Sequence, residues 1–87
     1  MENLKILILK IDKIIISQID EIEYDLGEPD CKLTNPCQLF VSDNGEWDMK
    51  IWPKFTDQRE IMIHSDSILT IVNPKEDHIK FYLELTK

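Results

Sequence analysis

The 87-residue chain predicts a mostly β fold, a small and strongly bent antiparallel barrel of five short strands carrying one C-terminal α-helix. Three observations carry that expectation. Apolar, largely β-branched residues recur in runs too short for buried helices. The links between the runs hold compact polar turns, such as Asn44-Gly45 and His64-Ser65-Asp66-Ser67. A capped amphipathic helix pattern occurs at the end of the chain. One domain is expected over residues 1–87, with the barrel at about 4–73 and the helix at about 74–86.

Taken in order, residues 4–11 read as the first strand. Ile6 and Ile8 alternate with Leu7 and Leu9, so both faces are apolar and both need a cover. Asp12-Lys13 turns the chain into a second strand that starts at Ile14 and continues towards Tyr24. Its apolar residues change phase, which a bulge near residues 17–20 reconciles. Residues 25–36, with Gly27, Pro29 and Pro36, read as a loop in which residues 31–33 are extended. Residues 38–41 form a short third strand, and Asn44-Gly45 reverses it, since both residues tolerate positive φ. Trp47, Met49, Ile51 and Phe55 return as a strand bent at Pro53. Two runs, 60–63 and 68–72, then read as an antiparallel pair about the turn 64–67. Asn73 as N-cap, Pro74 at the first helical position and Glu76 open a helix that continues over 75–86. Ile79, Tyr82 and Leu83 form its stripe, flanked by His78, Phe81 and Leu85, and the open face of the sheet is the surface it should cover.

A chain of this size buries only roughly 60–65% of its unfolded surface, so it would gain from a partner. Ten basic against seventeen acidic residues give a net charge of -7, which repels a phosphate backbone unless the basic groups are gathered locally. Lys5, Lys10, Asp12 and Lys13 interrupt the apolar start, so it does not read as a signal peptide. No stretch approaches the roughly 20 apolar residues that cross a bilayer. A soluble, cytoplasmic protein with no membrane partner is expected. Cys31 and Cys37 are expected as reduced thiols.

Catalysis is not expected, because no nucleophile motif and no glycine-rich phosphate loop are present. The two histidines and two cysteines lack the spacing of a zinc site, so no metal or cofactor is expected. The acidic run Asp20, Glu21, Glu23, Asp25, Glu28 and Asp30 has no calcium-loop pattern and reads as a solvated rim. His78 reads as a helix-packing residue. Trp47 and Trp52 read as core or subunit-interface residues, with exposed stacking as the alternative.

The order apolar strand Ile61-Met62-Ile63, turn His64-Ser65-Asp66-Ser67, apolar strand Ile68-Leu69-Thr70-Ile71 is similar to the second signature of the Sm and Sm-like proteins. Leu33-Thr34-Asn35-Pro36, Met49-Lys50-Ile51-Trp52-Pro53, Phe55-Thr56-Asp57 and the ending 68–74 look like the small Sm-like proteins of marine cyanobacterial viruses. The resemblance spans about residues 4–80. It implies an SH3-like barrel whose fourth strand pairs with the fifth strand of the next subunit, giving a cyclic homo-oligomer. It also implies binding of uridine-rich or adenine-rich single-stranded RNA, and a host-cell cytoplasmic location for a viral protein. Carried over, His64 stands at the family arginine, Ser65 at its glycine and Asp66 at its asparagine or aspartate. Only Asp66 matches; His64 lacks arginine's permanent charge and planar fork, and reads either as a plain turn residue or as a nucleotide contact. The implied subunit interface is Ile61, Met62, Ile63, Leu69 and Ile71. The alternative is an acidic homo-oligomeric scaffold that recruits a basic protein partner and does not bind RNA. Basic residues Lys32, Lys50, Lys54 and Arg59 separate the two, because a positive pore suits RNA and an acidic one suits the scaffold.

Overall fold

The computed structural model describes residues 3–21 and 31–87. Its first strand, β1 (Leu4–Leu9), is apolar on both faces because both are covered. Leu4 and Ile6 point to one core with Ile16, Cys37, Leu39, Met49 and Tyr82. Leu7 and Leu9 point to the other, called the inner core below, with Ile15, Leu33, Ile61, Ile63 and Ile68. Each fully buried Leu or Ile side chain contributes roughly 1.5–3 kcal/mol, so the two cores together hold the sheet.

The remaining elements are β2 (Ile14–Glu21), β3 (Cys31–Val41), β4 (Trp47–Ile51), β5 (Glu60–Ile63), β6 (Ile68–Val72) and the helix α1 (Glu76–Leu85). All pairings are antiparallel, in the order β4-β3-β2-β1-β6, with β5 also on β3. Strand β3 is long enough to serve two neighbours along one edge. Its first half, from Cys31 to Thr34, takes β5, and its second half, from Cys37 to Val41, takes β4.

A one-residue shift makes this possible. Ile16 pairs with Cys37 and Gln18 with Thr34, so Ser17 alone stands opposite Asn35 and Pro36. Asn35 adopts the left-handed backbone, with φ 53°. An inserted residue exchanges the faces of a strand. Leu33 therefore enters the inner core while Cys37, also odd-numbered, faces the helix. The phase change expected on the second strand is real, but the extra residue lies on its partner.

Several other expectations are corrected. Among the described residues there are six strands rather than five. Runs 60–63 and 68–72 do not pair with each other: β5 joins β3 and β6 joins β1, and a single turn of 3₁₀ helix, Ser65–Ser67, carries the chain between them. The expected loop over 25–36 ends early, because β3 begins at Cys31 and runs through Pro36. The first strand stops at Leu9 and the fourth at Ile51. The helix starts at Glu76 with Lys75 as its uncapped boundary. Asn73 does not cap it, because its Oδ1 accepts a hydrogen bond from Lys5 Nζ at 2.6 Å. Leu83 is exposed, and Ile79, Tyr82 and Leu85 do the packing. The expected continuation to Tyr24, the loop before Cys31 and most of the acidic run lie outside the described residues.

The Asn44-Gly45 reversal and the helix covering the sheet stand as expected. Gly45 takes φ 85° in the turn that the Ser42 N–H closes by donating to the Glu46 carbonyl at 2.8 Å. The result is a mostly β fold, a six-stranded antiparallel sheet with a C-terminal helix. Among the described residues no strand pairing closes the sheet on itself.

Candidate functional site

The turn between β5 and β6 is built by its own backbone. The His64 carbonyl accepts from the Ser67 N–H at 3.0 Å and from Ser67 Oγ at 2.7 Å, which bends the chain from the β3 flank to the β1 flank. His64, Ser65 and Asp66 are all exposed there, one imidazole, one hydroxyl and one carboxylate on a single turn. The Lys10 N–H donates to the Ser67 carbonyl at 2.9 Å, so the β1–β2 turn lies alongside.

The five interface candidates divide. Ile61 and Ile63 pack into the inner core, so they are half-buried within one chain. Met62, Leu69 and Ile71 are exposed. On β6 Ile68 pairs with Leu9 and Thr70 with Ile8, which leaves Leu69 bulged out. Among the described residues, β5 pairs only with β3 and β6 only with β1. Among the described residues each therefore has one edge to which no strand is paired.

A third feature was not legible from local sequence. Lys13, Gln38, Lys50, Trp52, Lys54 and Phe55 line a cavity of about 310 Å³. Register brings them together: Gln38 lies opposite Ile15 on one side and Lys50 on the other. Lys50 Nζ stands 4.7 Å above the centre of the Phe40 ring. Trp52 is half-buried against the inner core, and Phe55 is fully exposed with φ 67°. Of the basic residues singled out from sequence, Lys50 and Lys54 belong to this cavity. Lys32 instead faces Asp20 at 4.0 Å, and the Arg59 guanidinium donates to the carbonyls of Asp57 and Thr56.

A family model described as a family of unknown function (DUF6561) matches residues 2–87. The chain belongs to this family. No curated protein matches it. For a member of DUF6561, what the chain can do chemically has to be read from its side chains.

Those outside the turn and the cavity are mostly structural. Cys31 and Cys37 are both buried. Burial pushes the Cys37 thiol up to about 11, partly opposed by the positive charge of Arg59. Tyr82 is also pushed up, again chiefly by burial. His78 packs against Trp47, with ring centres 4.3 Å apart, and Phe81 meets the same indole edge-on at 5.2 Å. Trp47 is thus a partly exposed surface of the helix contact, whereas Trp52 belongs to the inner core. Among the described residues no three His, Cys, Asp or Glu side chains gather closely enough to hold a metal ion. No described helix is long and apolar enough to cross a membrane.

Proposed function

We propose that the chain is a non-catalytic, Sm-like module that assembles with copies of itself into a ring and binds single-stranded RNA, with His64, Ser65 and Asp66 nearest the nucleotide. The observation that carries this reading is the pair of free edges on β5 and β6. An apolar edge left unpaired is a template for another strand. The edge of β6 carries exposed Leu69, Ile71 and Val72, and β5 exposes Met62. Because the two edges belong to different flanks of one sheet, β6 of one copy pairs with β5 of the next in head-to-tail fashion. Such contacts close into a ring when the rotation closes. On this reading the bent sheet is an SH3-like barrel completed by the neighbouring strand. The turn that links β5 to β6 then recurs once per subunit around the ring.

The test is fluorescence anisotropy of labelled oligo-U and oligo-A across a salt series, together with the mass in solution by light scattering. A multimer whose RNA binding weakens with salt and with His64→Ala is the expected result. A monomer that ignores both oligomers at low salt overturns the proposal. A multimer that ignores them keeps the assembly and leaves a scaffold for a basic protein, in line with the net charge of -7.

A further inference from the structure

We propose that the cavity lined by Lys13, Gln38, Lys50, Trp52, Lys54 and Phe55 is a nucleotide site, its aromatic rings holding the base and its lysines the phosphate. This goes beyond the ring reading, since the site lies within one chain and does not use the His64 turn.

The first argument is charge. The chain has seventeen acidic and ten basic residues, yet the lining holds three lysines and no carboxylate. Among the described residues the ion pairs are Lys32–Asp20, Lys80–Glu76 and Lys87–Glu84, so none of the three lysines has one. Gathered like charges repel, and an anion seated among them relieves that repulsion while a cation adds to it. Lys50 is half-buried and held above the Phe40 ring, a contact that favours one position of its ammonium group. The cavity therefore selects anions on a chain that repels them elsewhere.

The second argument is the aromatic pair. Trp52 packs against the inner core of Leu7, Leu9, Ile15 and Leu33, which makes its indole a fixed wall. Phe55 has no such support: it is fully exposed and held in the left-handed backbone, a region bulky residues avoid. An apolar ring kept in water on the rim of a positive cavity has a natural partner in the face of a base, which stacks on aromatic rings whatever its sequence. The Gln38 amide supplies one acceptor and two donors for the edge of that base. A volume of about 310 Å³ lies at the small end of the roughly 300–1,000 Å³ of small-molecule pockets. It suits one nucleotide, either free or as a single unit of a strand.

The experiment uses the full chain with Trp47→Phe, which leaves Trp52 as its only indole. AMP and UMP are titrated against Trp52 fluorescence, beside adenosine, inorganic phosphate, oligo-A and oligo-U. Saturable, salt-sensitive quenching by the monophosphates is expected, with adenosine and phosphate each at least about tenfold weaker. Combining Lys54→Glu with Phe55→Ala, both at exposed positions, should weaken AMP by about tenfold or more without changing the circular dichroism spectrum. Equal affinity for AMP and oligo-A assigns a free nucleotide, and a further gain of about tenfold for the oligomer assigns a strand. Absence of quenching by every nucleotide, binding of phosphate as tight as AMP, or an unchanged affinity in the double variant overturns the site. Ile71→Lys, which acts on the β6 edge, should leave the titration unaltered. Failure of the ring and failure of the pocket are thereby read separately.

Discussion

The hydroxyl of Tyr82 reaches the carbonyl oxygen of Asn35 at 2.9 Å and thereby ties the helix to the residue that shifts the register of β3. The Thr34 carbonyl lies 3.2 Å from the same hydroxyl, but it also accepts from Ser17 Oγ at 3.0 Å. Removing the Tyr82 oxygen therefore leaves the partly buried Asn35 carbonyl with only the weak Cys37 thiol donor at 3.7 Å. Tyr82→Phe is expected to lower stability by about 1–2 kcal/mol, read from urea denaturation followed by circular dichroism. Tyr82→Ala, which also empties a fully buried position, should cost about 3–5 kcal/mol. A Phe variant as stable as the parent would show that the ring alone anchors the helix.

Asn35 itself supplies the second prediction. Its φ of 53° is open to glycine and tolerated by asparagine, while a β-branched side chain clashes there. Asn35→Gly should be neutral within about 0.5 kcal/mol, and Asn35→Val should destabilise by about 2 kcal/mol or more. The two midpoints, compared under one set of conditions, test whether the bulge is needed. Equal stability of the two variants would mean that β3 can pass this point without it.

What the sequence made legible follows the range of the signal. Alternation in residues 4–9, the Asn44-Gly45 reversal and the apolar stripe of Ile79 and Tyr82 are local, and each is found where its pattern lies. Pro36 reads as a loop signal, yet it lies inside β3, where the bulge removes the need for its missing N–H and its carbonyl accepts from Trp52 at 3.1 Å. The four residues 64–67 look like a hairpin turn because nothing local reveals that Cys31 and Leu7 are the partners of Ile63 and Ile71. The exposed turn of His64, Ser65 and Asp66 could be read directly, since polar turns are a local feature. Lys13, Gln38 and the stretch from Lys50 to Phe55 could not be joined, because register over three strands brings them into one cavity.

Alkaline pH supplies the third prediction. Burial raises the Cys37 thiol from 9.0 to about 11, and Tyr82 is shifted in the same direction from 10.0. In both, the folded chain favours the protonated, neutral group more than the unfolded chain does. The Cys37 contribution is whole below pH 9 and is lost as pH rises through about 11, and that of Tyr82 is whole below pH 10 and is lost at higher pH. The urea midpoint should accordingly fall between those values, and Cys37→Ala, although less stable at neutral pH by about 1 kcal/mol, should show a shallower fall. A slope identical in the variant would remove Cys37 from the account.

The edge of β6 gives the fourth. Ile71 pairs with Leu7 through its backbone, but the residue is 44% exposed, and among the described residues no strand pairs with β6 on its far side. Replacing a half-exposed side chain at an edge changes the stability of one chain little, and Ile71→Lys should remain folded within about 1 kcal/mol of the parent. In an assembly the same position would be covered by β5 of the next copy, and a lysine there would place one poorly solvated charge at every β6–β5 contact around the ring. Charged residues on an edge are what prevents strand addition. Light scattering should therefore report a multimer for the parent and smaller species for Ile71→Lys, with the gap widening on dilution. A parent multimer that Ile71→Lys leaves at the same mass would place the contact elsewhere, the aromatic patch of Trp47 and Phe81 on the helix side being the next exposed apolar surface to alter.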